Sequence, residues 1–171
     1  MPETSLRVEL ATIMPVLLAR VIAKTGLTES CVFLSQTPEI PYDTMADHIV
    51  RLRIEDHVFD QDLLTTSGRY DCRALVRMSL AVRTRLDIDQ KPRDGSWLTH
   101  QTLGHLRLVH KVYQALVNFW PMDQQQNVLT VSPVITMSGD SPQRDRQQAG
   151  WGESTLTFGF VYVLDLDEPY R

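Results

Sequence analysis

The stretch YDCRALVRMSLAVRTRL, residues 70–86, alternates apolar and polar side chains almost without error. Successive side chains of a β-strand point to opposite faces of its sheet, so the pattern predicts a strand with one buried face and one charged face. At ~3.3 Å per residue it would extend roughly 55 Å, whereas ordinary strands have about five or six residues. The stretch therefore predicts an extended hairpin or a projecting arm, which suits assembly better than enclosure of a substrate.

Arginines dominate the charged face of this strand. Two more arginines alternate with apolar residues in the segment 48–55, which predicts a second half-buried strand. If the two strands pair antiparallel, arginines that lie directly opposite each other would repel. The charged face then requires acidic or phosphate groups beside it, or it remains solvated. Contact with an acidic partner or nucleic acid and a face merely kept soluble by charge remain equal alternatives. The candidate subunit or partner interface consists of Arg69, Arg73, Arg77, Arg83, Arg85, Arg51 and Arg53.

Length and composition indicate one ordinary globular domain spanning residues 1–171. The chain of 171 residues is 43% hydrophobic and can bury a core without a metal or disulfide. Its net charge of -4 argues against nucleic-acid binding over the whole surface but leaves room for a local basic strip. Cys31 and Cys72 lie in apolar runs without metal-site spacing, which favours buried free thiols in a reducing compartment over a disulfide or a nucleophile.

No membrane segment or secretory signal is expected. Arg7 and Glu9 interrupt the apolar pattern before a hydrophobic region forms. The longest apolar stretch, residues 13–23, contains Pro15 and Arg20 and is too short to cross a bilayer. The sequence thus predicts a protein that is made and assembled in cytoplasm, without contact with a membrane.

The order of elements predicts an α+β fold. A helix over 5–24 either kinks at Pro15 or begins near Thr12 after a short arm. Strands follow at 31–34, 48–55 and 70–86. A helix capped by Ser96 or Thr99 then ends before Pro121, and strands follow at 127–136 and 154–165, with Pro133 indicating an edge or bulge. We expect a mixed or antiparallel sheet of about five strands with two main helices on one face. The apolar stripe of the second helix consists of Leu103, Leu106, Val109, Tyr113, Leu116, Val117 and Trp120.

Two segments are predicted to be loops. The segment 56–68 ends in a polar turn that leads into the long strand, and the segment 138–152 has no apolar face at all. A polar loop longer than a hairpin requires can become ordered on a partner. Its candidate docking residues are Asp140, Arg144, Asp145 and Arg146.

Catalytic and metal sites find little support in the sequence. Gly139, Asp140 and Ser141 resemble the start of a lipase-like block, but no histidine follows His110 and a turn explains the same residues. His100, His105 and His110 are five apart and cannot share a helix face, so solvated or partly packed residues explain them better than metal ligands. We therefore expect no catalytic residue, no metal and no cofactor.

With these elements in order, the chain resembles the tail terminator, or tail completion, proteins of long-tailed bacteriophages and of related phage-derived particles. The similarity covers nearly the whole chain. It rests on an amphipathic first helix at 5–24, a strand that ends in paired charges at 50–55, the long alternating strand 70–86 and one long helix at 99–120. The chain then closes with a hairpin whose last strand begins Trp151-x-x-x-x-Leu156-Thr157-Phe158.

The resemblance implies a structural virion protein that is not an enzyme. Such a protein forms a homo-oligomeric ring, a hexamer in this family, on the end of the tail tube, stops its polymerisation and presents a surface to the head connector. The implied partners are further copies of the chain, the tail tube protein and the head connector or neck protein, with DNA passing through the lumen without sequence-specific binding. A head-tail joining (neck) protein and, more remotely, a serine hydrolase using Ser141 are the alternatives.

Overall fold

The computed structural model describes residues 8–36, 46–60, 73–86, 96–100, 104–144 and 150–164. Within these ranges the protein has an α+β fold, in which a first helix is followed by three strands, further helices and the last strands. The elements are α1 (Leu10–Thr25), β1 (Val32–Leu34), β2 (His48–Asp60), β3 (Arg73–Arg85), α2 (Ser96–Thr99), α3 (His105–Leu116), β4 (Ile135–Gly139), β5 (Gln143–Arg144) and β6 (Trp151–Val163).

The strands form one mixed sheet in the order β1-β2-β3-β6-β4, and the short β5 also pairs with β6. β1 is parallel to β2, and the other pairs are antiparallel. This confirms the predicted sheet and the extended β2–β3 hairpin. β3 is nevertheless the central strand, because β6 pairs with all of Arg73–Arg85 on one side and β2 pairs on the other. It is therefore not a projecting arm over the residues described, and residues 69–72 lie outside them.

The core lies between the sheet and the helices α1 and α3. The even-numbered residues of β3 are buried, as their alternation predicts, and Phe158, Phe160 and Tyr162 of β6 are buried beside them. Burying one face of a sheet under amphipathic helices removes apolar surface from water and stabilises both layers. The fully buried apolar members of these two strands are Ala74, Val76, Met78, Leu80, Val82, Phe158, Phe160 and Tyr162.

β2 is longer than its alternating pattern, because a β-bulge interrupts the period at Glu55. The register passes from Ile54 opposite Met78 directly to Asp56 opposite Arg77. An extra residue reverses the alternation beyond it. His57 then lies on the helix side, where its Nε2 is 2.8 Å from the hydroxyl of Tyr162. The prediction of a loop over 56–68 is therefore wrong for residues 56–60, which belong to β2.

α1 begins at Leu10 and ends before Gly26, whose positive φ of 75° forms the C-cap. Val8 precedes it in a β-bridge with Leu164, so a short arm does lead into the helix, but the helix begins two residues before Thr12. Pro15 therefore lies inside the helix, beyond its first turn, and is exposed to solvent.

The predicted helix over 99–120 is too long at both ends. α2 is separate, and α3 begins after Gly104, where a Cβ atom would lie 2.3 Å from the carbonyl oxygen of His100. The predicted stripe is also rotated from the buried side of the helix, since Leu106 and Tyr113 are exposed. The apolar residues of this helix occupy a wider arc of its surface than the side that packs against the core. The buried residues of α3 are His105, Leu108, Val112, Ala115 and Leu116.

The predicted strand 127–136 is wrong for most of its length. Asp123 accepts hydrogen bonds from the backbone amides of Gln125 and Asn127, and such side-chain bonds compete with a regular strand. The strand β4 starts only after Pro133, at the sheet edge. Because β4, β5 and β6 all take residues from the predicted loop 138–152, that loop is shorter than expected.

Candidate assembly surface

The arginine face is the face of the sheet opposite the helices, and it carries Arg51, Arg53, Arg77 and Arg83. Arginine does not stand opposite arginine in the described register of β2, β3 and β6. Arg51 faces Ala81 and Arg53 faces Ser79, whereas Arg77 faces Asp56. Placing a long cation opposite a small or acidic residue removes the cross-strand repulsion that the sequence suggested.

Carboxylates of the same chain supply the acidic neighbours of this face. Arg77 Nη1 lies 3.0 Å from Asp56 Oδ2, and Arg53 Nε lies 3.7 Å from Glu55 Oε1. The bulge at Glu55 brings two successive carboxylates to one side of the sheet, which a regular strand would not do. The hydroxyl of Ser79 donates a hydrogen bond to Glu55.

Arg83 and Arg85 also pair with carboxylates of this chain. Arg83 forms an ion pair with Glu153, and Arg85 Nε lies 3.7 Å from Asp47 Oδ1. The guanidinium of Arg85 also lies 5.3 Å from the ring centroid of Trp151. Arg83 is buried, together with Ile49 opposite it, so this end of the arginine face is not a solvated surface.

An open groove of about 460 Å³ occupies the middle of the arginine face. Its charged lining consists of three arginines, Arg51, Arg53 and Arg77, and three carboxylates, Glu55, Asp56 and Glu153. Burial, and next the charge of Arg83, lower the pKa of Arg51, although a guanidinium stays protonated in any aqueous buffer. The charges balance, whereas a nucleic-acid surface would carry an excess of cations.

An apolar row crosses the same face beyond the groove. Val58, Leu75 and Val161 are register partners on β2, β3 and β6, and the amide of Val131 donates a 2.7 Å hydrogen bond to the carbonyl of Val161. Val58 is 56% exposed, and Leu75 and Val131 are each 37% exposed. A contiguous exposed apolar patch marks a contact surface more often than isolated exposed residues do.

Two exposed residues of β4 extend this apolar surface towards the sheet edge. Ile135 is paired with Gly159 of β6, and the sulfur of Met137 lies 2.9 Å from the position that a Cβ atom on Gly159 would occupy. The missing side chain at Gly159 therefore lets Met137 lie against β6. The arginine alternation did not reveal this apolar surface, because the bulge and β4 were both missed.

A buried polar network lies on the helix side of the sheet. His105 is fully buried, and its Nδ1 and Nε2 each lie 2.9 Å from a hydroxyl, those of Thr84 and Ser154. His48 Nδ1 lies 3.2 Å from the same Thr84 hydroxyl. Burial, and to a lesser degree His48, lower the pKa of His105 to about 4. His105 is thus a core residue that holds α3 against β3 and β6, and the expectation that it is solvated or partly packed is wrong.

The remaining candidate residues do not gather into one site. Asp140 and Ser141 are exposed after β4, where the Asp140 amide donates to the carbonyl of Thr155. Arg144 belongs to β5, and Arg73 is exposed at the start of β3. The residues Arg69, Asp145 and Arg146 lie outside the described part of the chain.

The histidines and the cysteine of the described ranges do not form a catalytic or metal-binding cluster. His48, His57 and His105 bond to Thr84, Tyr162 and Ser154 rather than to Ser141. Within the described ranges, no three His, Cys, Asp or Glu residues gather as a metal site. Cys31 is a free thiol, half-buried rather than buried as expected, and Cys72 lies outside the described residues. No helix in these ranges has the length and hydropathy of a membrane span.

Comparison with solved structures gives a likeness over nearly the whole chain. A chain of a structure described as "Virion of native gene transfer agent (GTA) particle" matches with a TM-score of 0.50 and 16% sequence identity. The match covers 90% of this chain and 92% of that chain. No family model matches the sequence, and no curated protein matches it either. At this identity the likeness establishes a shared fold.

Proposed function

We propose that this protein is a tail terminator: a structural virion protein that caps the tail tube as a ring and ends tube polymerisation. The surface of the ring that faces away from the tube would join the tail to the head. The observation that carries the proposal is the shared fold with a chain of a gene transfer agent virion, because it extends over 90% of this chain. A phage-like particle is also the setting that the sequence resemblance implies.

The chemistry of the arginine face supports an assembly role rather than an enzymatic one. The groove is charge-balanced and open, whereas catalytic pockets are concave and largely apolar with a few convergent polar groups. The apolar row beside it suits contact with protein. The candidate interface residues that the structure describes thus act as part of a mixed surface, in which the arginines set orientation and the apolar residues supply contact area.

The proposed partners follow from the position of a terminator. Copies of this chain form the ring, which we expect to be a hexamer, between the tail tube protein and the head connector or neck protein. DNA passes through the lumen without sequence-specific contacts, in keeping with a net charge of -4. Assembly takes place in the host cytoplasm, and the protein is then part of the virion in the tail-neck region.

Binding to tail tubes is the direct biochemical test. Tubes from particles that lack this protein are incubated with the purified chain, and the tube ends are imaged by electron microscopy. The proposal predicts a ring at one end and no further elongation when tube subunits are added. Tubes that keep growing with the protein present would contradict it.

A neck protein would share the size and ring symmetry of a terminator, so the binding partner must separate the two. Purified tubes and purified portal are each immobilised and tested for retention of the protein. A terminator is retained by tubes without any head protein. Retention by portal alone would replace the terminator with a neck protein. A fluorophosphonate probe that labels Ser141 in the folded protein, but not Ser141→Ala, would instead favour the hydrolase.

A further inference from the structure

A second exposed apolar surface lies on α3. The helix stripe consists of Leu106, Val109 and Tyr113, at spacings of three and four residues that place them on one side of the helix. Leu106 is 45% exposed and Tyr113 is 38% exposed, and Val109 is half-buried. The ring of Tyr113 lies 6.4 Å from that of Phe158, so its inner edge rests on the core while the rest faces solvent. The stripe is therefore anchored and available for contact.

The helix stripe and the apolar row belong to opposite layers of the protein. α3 packs on the helix side of the sheet, and Val58 and Leu75 point to the other side. The two surfaces cannot meet within one protomer. A contact between the stripe of one copy and the row of the next uses two different patches, and such heterologous contacts produce rings when the rotation closes.

The two surfaces match in size. The apolar row crosses four adjacent backbone segments, which gives it a width of ~14 Å at ~4.8 Å between neighbours. The stripe from Leu106 to Tyr113 rises ~10 Å along the helix at ~1.5 Å per residue. One helix side can therefore lie across the row, as α-helices pack on sheets within a domain.

Their charges are also compatible. α3 carries no acidic residue, and its exposed Arg107 directly follows Leu106. Lys111 lies on the other side of the helix, where its Nζ is 3.5 Å from the carbonyl oxygen of Thr25. The half-exposed carboxylates Glu55 and Asp56 lie beside the apolar row, in a groove whose charges balance. A basic helix meets no net repulsion there. A phosphate-rich partner would gain nothing from a neutral groove next to exposed valine and leucine, so a second copy fits better than nucleic acid.

We propose that the helix stripe of one protomer packs on the apolar row of the next copy, and that this heterologous contact builds the ring. The inference rests on the proposed function, since it identifies which surfaces join the copies of a terminator. It assigns the contact to Leu106, Val109 and Tyr113 on one side and to Val58, Leu75 and Val161 on the other. The carboxylates beside the row then lie near Arg107 of the neighbour.

Single substitutions at the two surfaces test the contact. Val58→Arg and Leu106→Arg each place a charge at an exposed position, so both should fold, which circular dichroism checks. Leu34→Arg is the matched control, because Leu34 is 40% exposed on β1, away from both surfaces. Native mass spectrometry over a concentration series, with and without tubes, should show that both test variants require a roughly tenfold or higher concentration to assemble, while the control behaves as wild type. Unchanged assembly of either test variant overturns the proposal.

Mixing the two variants gives a sharper result. Each variant alone lacks one half of every contact, but Val58→Arg keeps an intact helix stripe and Leu106→Arg keeps an intact apolar row. An equimolar mixture should therefore form a one-to-one heterodimer and no larger species. A mixture that stays monomeric, or that closes into full rings, contradicts a contact between these two surfaces.

Crosslinking in assembled particles covers the case in which rings form only on the tube. A benzophenone amino acid at residue 106 should crosslink to residues 56–60, 75 or 135–137 of another copy, as mass spectrometry of the peptides can show. Crosslinks to other residues of a second copy, or to another protein, would overturn this inference but would not contradict the terminator function. If the protein stays monomeric even with tubes present, the ring contact fails, whereas the tail length of particles without the protein tests the function separately.

Discussion

Arg83 and Glu153 stand directly opposite each other on β3 and β6, and their side chains form an ion pair at the buried end of the arginine face. Removing one partner of a buried pair leaves a charge without its counter-charge. Because Glu153 keeps partial contact with solvent, we expect Glu153→Gln to lower the free energy of unfolding by about 2 kcal/mol. Urea denaturation measures this change.

The control for this substitution is Asp140→Asn, which removes a carboxylate at an exposed position. It should change the free energy of unfolding by less than about 0.5 kcal/mol. If Glu153→Gln is as mild as Asp140→Asn, the Arg83 pair does not stabilise the fold. The pair also makes Arg83 a poor probe of assembly, because charge reversal there would disturb the sheet itself.

The buried His105 predicts a loss of stability in acid. Its folded pKa of about 4 is below the ordinary value of 6.5, so the unfolded chain binds the proton more readily between these values. Stability from this residue is complete above pH 6.5 and falls as the pH approaches 4, by up to about 3 kcal/mol. Burial lowers the pKa values of His48 and His57 as well, which adds to the same trend.

Unfolding curves from pH 7.5 to 4.5 isolate the contribution of His105. His105→Gln should be less stable at neutral pH but should lose part of the pH dependence. Gln114→Ala, at an exposed position of the same helix, should keep the wild-type dependence. If the free energy of unfolding changes equally with pH in the wild type and in His105→Gln, His105 is not the source of the acid sensitivity.

Gly152 is required because Trp97 of α2 lies against its backbone. A Cβ atom on residue 152 would be 2.2 Å from Trp97 Cζ3, and Trp97 also lies 5.3 Å from the ring of His105. Overpacking of this kind costs about 1–3 kcal/mol, so Gly152→Ala should lower the melting temperature. In Gly139→Ala the new Cβ atom would lie 3.1 Å from Leu156 Cδ2 and 4.0 Å from the carbonyl oxygen of Thr155, so this substitution should cost less.

A second substitution checks that Trp97 causes the clash at residue 152. In the double variant Gly152→Ala with Trp97→Leu, the smaller side chain makes room for the new methyl group. The cost of Gly152→Ala should therefore be smaller in the Trp97→Leu background than in the wild type. An equal cost in both backgrounds would place the strain elsewhere.

The bulge at Glu55 makes a prediction about deletions. Glu55 is the extra residue between Ile54 and Asp56, so its removal leaves a regular strand with the same pairs on either side. We expect the variant that lacks Glu55 to fold. Deletion of Arg53, two residues earlier, closes the same bulge but moves Ile54 to the charged face opposite Ser79 and Glu55 to the buried face opposite Met78. Thermal unfolding should show a cooperative transition for the first variant and a large loss of stability for the second.

Periodicity predicted the parts of this fold in which one physical rule governs a whole element. The alternation in β3 and β6 identified their buried faces, because each strand lies regularly over one core. The bulge at Glu55 hid the end of β2, since one extra residue reverses the alternation. Asp123 and Pro133 hid the start of β4, because local side-chain bonds and a missing amide replaced the expected ladder.

Only part of the candidate assembly surface could be predicted from the sequence. The arginines were visible as a pattern, but their partners Asp56 and Glu153 come from other strands, and only the register brings them together. The apolar row is a property of four separate segments. His105 was treated as one of three evenly spaced histidines, and nothing in its sequence neighbourhood indicates the hydroxyls of Thr84 and Ser154 on β3 and β6.

The length of tails in particles made without this protein tests the central claim most directly. Particles are produced with the protein absent and with the Leu34→Arg variant as a control, and tail lengths and head attachment are measured by electron microscopy. The terminator function predicts overlong tails, detached from heads, when the protein is absent and ordinary particles with the control. Tails of normal length attached to heads in the absence of the protein would contradict the account.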